Sequence, residues 1–318
     1  MKARACTLLV AATLLSTGSW AERKYSDWGP AVNLGCQINS PANDFGPGIS
    51  KDGLSLYFSS NRGQTDPTRS EIYVAQRPST SDLWGSPQNL GPTVNSPGGN
   101  NPTFSRDGHW MFFNSSRAGG FGDTDIWASY REHVHDDFAW ETPFNLGAGV
   151  NTTGFEAGPS YFENEDGSSP VLYFGRADSG STQTATSDIW IADLLPDGTF
   201  GNARLVPELS SLRGDQRPSI RFDGLEIFFF SNRPGSITDT NGNFTTDIWV
   251  ATRSSVNDAW DEPTNLGANV NTQFADINPQ ISADGLTLYF ASNRPGGCGG
   301  NDLYMTSRTR LKGHNAGN

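Results

Sequence analysis

Short apolar runs separated by turn-forming residues dominate the chain, and one pattern recurs five times. An apolar stretch leads to Asp-Gly, then come a second apolar stretch, a polar loop bearing Arg, an acid followed by apolar and aromatic residues, and Trp with Asn-Leu-Gly. The Asp-Gly pairs are Asp52-Gly53, Asp107-Gly108, Asp166-Gly167, Asp223-Gly224 and Asp284-Gly285. Asp-Gly between apolar runs predicts a hairpin, because a type I′ turn needs positive φ at both central residues. The strand after each turn reads Leu54-Ser55-Leu56-Tyr57-Phe58 in the first unit and Leu286-Thr287-Leu288-Tyr289-Phe290 in the fifth. In the fourth it is Ile227-Phe228-Phe229-Phe230, apolar on both faces as a strand between two sheets must be.

Third strands are predicted at Ile72-Tyr73-Val74, Ile126-Trp127-Ala128, Ile189-Trp190-Ile191, Ile248-Trp249-Val250 and Leu303-Tyr304-Met305. Fourth strands are marked by Trp84 with Asn89-Leu90-Gly91, Trp140 with Asn145-Leu146-Gly147, and Trp260 with Asn265-Leu266-Gly267. The third unit keeps only Phe200 and Leu205-Val206 of this pattern, and the fifth has no such strand after Met305. The missing one stands before the first unit, as Trp28 with Asn33-Leu34-Gly35. That circular permutation predicts an all-β, five-bladed β-propeller, four strands per blade, the last blade closed by the N-terminal strand. An open solenoid would instead carry capping repeats at its ends.

Gly 36 and Pro 19 in 318 residues fit many short strands, and an aromatic content of 11% supplies large rings for cores between them. The formal charge is −12, and the only lysines are Lys2, Lys24, Lys51 and Lys312. Such a surface disfavours nucleic acid and anionic membranes as partners. Residues 1–21 read as a signal peptide: a basic start through Arg4, an apolar run over Ala5–Leu15 and a cleavage site at Ser19-Trp20-Ala21. The expected mature product is periplasmic or secreted, with a single propeller over 22–310, a tail over 311–318, no membrane insertion and a monomeric state.

The repeats resemble the WD-like β-propeller repeats of the TolB type found in exported bacterial proteins. The likeness rests on Ser50-Lys51-Asp52-Gly53, Ser60-Asn61-Arg62-Gly63, Ser231-Asn232-Arg233-Pro234-Gly235 and Ser292-Asn293-Arg294-Pro295-Gly296-Gly297 with Asp302-Leu303-Tyr304. It implies a binding scaffold more often than an enzyme. TolB itself has six blades and an additional N-terminal domain, for which this chain has no length.

Cys36 follows the N-terminal strand, and Cys298 lies between the second and third strands of the fifth unit. Those two connections emerge on one face of one blade, so a Cys36–Cys298 disulfide is expected in an oxidising compartment. Two free buried thiols are the alternative.

Arginine follows the second strand in every unit (Arg62, Arg117, Arg176, Arg233, Arg294), and an acid begins every third strand (Glu71, Asp125, Asp188, Asp247, Asp302). The expectation is an ion pair between them in each blade. A second acid set, Asp44, Glu156, Asp215 and Asp276, precedes the proline of each first strand by three residues, with Gly99 in that place in the second unit. These carboxylates are expected at the mouth of the central channel, near the arginines, as ligand-binding groups. Glu156 and Asp215 are the catalytic candidates, although acid–base chemistry needs unequal environments and repetition supplies equal ones. Asp239, Asn241, Asn243 and Asp247 alternate oxygen donors like a calcium loop, so calcium is the one cofactor suggested. His133 and His135 lack a third metal ligand nearby in sequence. Repeat-position tryptophans are expected to pack between blades. The main functional expectation is an exported scaffold that binds a ligand, a glycan or an envelope protein through the loop face; the alternative is a secreted carbohydrate-active enzyme using the channel-mouth carboxylates.

Overall fold

The structure is a computed structural model that describes residues 25–311 apart from 67, 165–167 and 179–185. The expected signal peptide, all but Leu311 of the tail and the Asp166-Gly167 turn lie outside the described residues. Five four-stranded antiparallel sheets account for nearly all of the regular structure. The first comprises Asp44–Ile49, Ser55–Ser60, Glu71–Gln76 and Gln88–Asn89; the second Asn100–Phe104, Trp110–Ser115, Asp125–Tyr130 and Phe144–Asn145. The third comprises Phe155–Phe162, Val171–Ala177, Asp188–Leu194 and Phe200–Leu205; the fourth Asp215–Ile220, Glu226–Ser231, Asp247–Thr252 and Thr264–Asn265. The fifth takes Asp276–Ile281, Thr287–Ser292 and Asp302–Ser307 from the end of the chain and Val32–Asn33 from its beginning. The first strand of every blade touches the first strands of both neighbours, so five inner strands close a ring. The protein is a five-bladed β-propeller.

Val32 lies opposite Met305 and Asn33 opposite Tyr304 in the closing pair. The seam extends past the strand: Gly29 N donates to Ser307 O at 2.9 Å and Leu34 N to Leu303 O at 3.0 Å. The Cys36–Cys298 disulfide locks the same seam, with Cα atoms 5.6 Å apart. It spans 262 residues of sequence, and a loop of that length gives about 5–6 kcal/mol in the chain-entropy account, an upper bound on what removing the bond costs.

Side-chain alternation along the second strands explains how the blades cohere. Each presents two adjacent aromatic rings to opposite faces: Tyr57/Phe58, Phe112/Phe113, Tyr173/Phe174, Phe228/Phe229 and Tyr289/Phe290, all buried. One ring of each pair faces the preceding blade and the other the following one, giving a separate apolar core at each of the five blade junctions. Burying one such ring contributes roughly 1.5–3 kcal/mol. The repeat-position tryptophans Trp28, Trp84, Trp140, Trp260, Trp127 and Trp249 are buried in these cores, and Trp190 is half-buried against one of them.

Each inner strand carries a proline (Pro47, Pro102, Pro159, Pro218 or Pro279), and pairing with the second strand slips there in all five blades. The residue before that proline has positive φ throughout: Gly46 58°, Asn101 63°, Gly158 60°, Arg217 54° and Asn278 59°. Glycine and asparagine tolerate this conformation; arginine does not do so readily.

Candidate functional site

Asp44, Asp215 and Asp276 begin their inner strands, Glu156 is second in its own, and all four are fully buried, at 0% exposure each. Each carboxylate accepts a backbone N–H from four residues earlier: Ser40 at 2.6 Å, Thr152 at 2.9 Å, Ser211 at 2.6 Å and Thr272 at 2.7 Å. Each also accepts from the arginine of its own blade. Arg62 Nη2 reaches Asp44 at 2.6 Å, Arg176 Nε reaches Glu156 at 3.0 Å, Arg233 Nη2 reaches Asp215 at 2.6 Å, and Arg294 Nη2 bonds Asp276. The same guanidinium groups donate to the carbonyls of Ile38, Val150, Leu209 and Val270. In the second blade Gly99 supplies no carboxylate, so Arg117 donates to the carbonyls of Val94 and Gly98 and to Ser115 Oγ. Burial without a charge partner brings its pKa down to about 10.

The expected pairing of these arginines with the third-strand acids is therefore corrected: they pair with the first-strand acids. The third-strand acids sit one strand further out, and the fourth-strand asparagine reaches them first. Asn89, Asn145, Asn265 and Asn33 donate Nδ2–H to Glu71, Asp125, Asp247 and Asp302 at 2.6–2.9 Å. A second asparagine clamps the strand beside each acid through its backbone: Asn95 on Ile72, Asn151 on Ile126, Asn271 on Ile248 and Asn39 on Leu303. The correct partner had a sequence signal. Arg62, Arg233 and Arg294 each lie 18 residues after their acid and Arg176 lies 20 after Glu156, whereas the distance from arginine to third-strand acid wanders with loop length.

The third blade departs from this scheme. Leu205 faces Trp190 where the other blades place the donor asparagine, and Ser210 stands in for the second asparagine. Arg176 sits two residues earlier than its counterparts, directly across from both Glu156 and Asp188. Glu156, Arg176 and Asp188 thus form one row across three strands. Asp188 is only half-buried; burial and the nearby Asp215 carboxylate of the fourth blade raise its pKa, against a lowering bond from Ser210. Burial likewise raises the pKa of Glu156, with the Thr152 and Arg176 contacts opposing it. The fourth and fifth blades hold a comparable pair in Asp247 and Asp276, but both of those are fully buried, whereas Asp188 keeps access to solvent. The Asp188 environment was invisible to the sequence reading, although the decay of Asn-Leu-Gly to Leu205-Val206 marks its place.

The calcium-like loop closes on itself. Asp239 accepts the backbone N–H groups of Asn241 at 2.8 Å and Asn243 at 2.9 Å, while Asp247 accepts from Ile237 N and Asn265. These carboxylates do not converge, and among the described residues no three His, Cys, Asp or Glu side chains are grouped to hold a metal ion. Asp247 is held up to about 6, chiefly by burial.

No family model matches the chain, and no curated protein matches it. Its fold is similar to an α-L-arabinofuranosidase from Lactobacillus brevis, with 14% identity, TM-score 0.55, and 85% of this chain and 91% of that one covered. It is similar as well to a GH62 hydrolase solved with xylotriose, with 8% identity, TM-score 0.57, and coverage of 91% and 99%. A TolB from Acinetobacter baumannii aligns over 88% of this chain but 55% of its own, with TM-score 0.44 and 15% identity. The whole-chain fold correspondence is with the arabinofuranosidase and the GH62 hydrolase.

Proposed function

We propose that this chain is a secreted carbohydrate-active enzyme, with its working site at the junction of the third and fourth blades. The observation that carries this reading is the Asp188 environment: a half-buried carboxyl of raised pKa, beside Asp215 and in a row with Arg176 and Glu156. Glycosidic hydrolysis needs one carboxyl kept protonated near neutral pH and a second kept ionised. Asp188, whose pKa burial and the Asp215 carboxylate raise, is the candidate acid; Asp215, held by Arg233, is the candidate second carboxyl. The fold likeness to an arabinofuranosidase and to a hydrolase holding xylotriose makes pentose-containing glycans the substrates to try first.

Binding without turnover has one observation in its favour. Asp44, Glu156, Asp215 and Asp276 are wholly buried and their bonds are spent inside the blade, as in a scaffold. On that reading a glycan or envelope protein meets the second-to-third-strand loops alone. Assaying the mature protein on arabinan, arabinoxylan and xylan separates the two. The enzyme reading expects product release that falls at least about 100-fold in Asp188→Asn with its melting curve kept. Glycan binding without any product, unaffected by Asp188→Asn, supports the scaffold. Export through cleavage after Ala21 belongs to the same proposal, supported by the disulfide, and N-terminal sequencing of protein recovered from the periplasm or medium tests it.

A further inference from the structure

The inner ring holds one charged group that the repeat scheme does not explain. Arg217 occupies the pre-proline position of the fourth blade, where the other blades place glycine or asparagine. It is 7% exposed, and among the described residues no carboxylate forms an ion pair with it. Its Nη1 has no hydrogen-bond partner. Its side chain leaves the fourth blade and passes over Gly158 of the third, where a Cβ would collide with Arg217 Cδ. It ends beside Gly46 of the first blade, with Nη1 3.2 Å from the point a Cβ would fill. The arginine therefore crosses the channel, and two glycines give it room.

Two further polar atoms converge on that point. Asn101 Oδ1, from the second blade, would also collide with a Gly46 Cβ, and it is buried without a donor. Asn101 cannot turn its amide over cheaply, because Nδ2 donates to Asn114 Oδ1 at 2.8 Å. Ser59 Oγ lies 3.1 Å from the same point and accepts from Asn101 N, which leaves its own hydroxyl hydrogen to donate inward. One cationic donor, one hydroxyl donor and one acceptor, from three different blades, thus cluster beside Gly46 in a buried environment. An unpaired guanidinium there carries a desolvation cost that a bound negative charge would offset. The buried acceptor additionally asks for a hydrogen.

We propose that Arg217, Ser59 and Asn101 form a binding site within the channel for a small oxyanion that carries one hydroxyl group. The oxyanion oxygens accept from Arg217 and Ser59, and its hydroxyl donates to Asn101 Oδ1. Hydrogencarbonate and glycolate, the simplest α-hydroxycarboxylate, have this chemistry; acetate and chloride lack the hydroxyl. The site stands independently of whether the chain turns over a glycan.

The test is thermal unfolding of the mature protein at fixed pH and ionic strength, titrated with glycolate, hydrogencarbonate, acetate or chloride. Glycolate or hydrogencarbonate is expected to raise Tm saturably, by about 5 °C at a hundredfold excess over Kd, and acetate and chloride much less. Arg217→Asn keeps a residue that two other blades already hold in this backbone conformation, so it is expected to fold and to lose the response. Calorimetric titration of glycolate into unaltered protein checks the site without any variant. Absence of saturable binding, equal responses to chloride and glycolate, or an undiminished response in Arg217→Asn would each overturn the proposal.

Discussion

The third blade and the other four are built from the same repeat, yet they treat their polar groups differently. In the first, fourth and fifth blades a serine ends the second strand and helps an arginine two residues later hold an aspartate, and an asparagine holds the outer acid. The second blade keeps the serine, arginine and asparagine but lacks the inner acid. In the third blade the arginine has moved into the serine's place, glutamate replaces aspartate to meet it, and leucine replaces the asparagine. The difference teaches that regularity here spends carboxylates on holding strands. Only where one partner is removed does a carboxyl keep a raised pKa and access to solvent.

The contrast is broken most severely by removing a regular arginine. Arg233→Met would leave Asp215 buried against Leu209 and Ser211 without its cation, at a cost of about 3–5 kcal/mol. Arg176→Met in the third blade is expected to cost less, because Arg176 is more exposed and Glu156 keeps its Thr152 contacts. Denaturant midpoints of the two variants compare them; equal losses would remove the distinction between the blades. Opening the seam comes next. Cys36→Ser with Cys298→Ser is expected to lower stability by about 2–4 kcal/mol, read as a Tm difference that reductant reproduces in the unaltered protein.

A smaller and more pointed change restores the repeat. Leu205→Asn places the missing donor opposite Trp190, so it should lower the pKa of Asp188 and stabilise the fold by about 1 kcal/mol. If Asp188 is catalytic, the pH–activity profile loses its alkaline-side shift and turnover at neutral pH drops; NMR titration of the Asp188 carboxyl reports the pKa directly. Asp247→Asn acts on the pH dependence of stability. The folded-state pKa of Asp247 lies near 6, above its ordinary value of 3.8, so the native state holds this proton more tightly than the unfolded chain. Its contribution is complete below about pH 4 and is lost as pH rises to about 6. The variant should flatten that part of the stability curve, and a Tm series across pH 4–7 measures it.

Much of this architecture was legible beforehand because its signals are local. Asp-Gly turns, paired aromatic positions and a displaced Asn33-Leu34-Gly35 each carry their own conformational meaning, and the Cys36–Cys298 bond follows once the seam is placed. Partner choice was less legible. Arg62 has Asp44 and Glu71 both near in sequence, and only strand order decides that the inner acid receives it. Constant spacing of 18 residues was the available clue. Arg217 was missed for a different reason: its meaning lies in Gly46, Asn101 and Gly158, three blades that sequence alone does not bring together. The oxygen-rich stretch at Asp239–Asp247 misled because turn-forming and ion-binding sequences use the same residues.

The prolines of the inner ring have a consequence for solubility. Every innermost strand is a sheet edge, and an edge with a continuous row of free amides would recruit a stray strand from another chain. Pro47, Pro102, Pro159, Pro218 and Pro279 each delete one such amide, and the left-handed residue before each bends the row out of line. The inner edges are thereby protected against pairing with a stray strand.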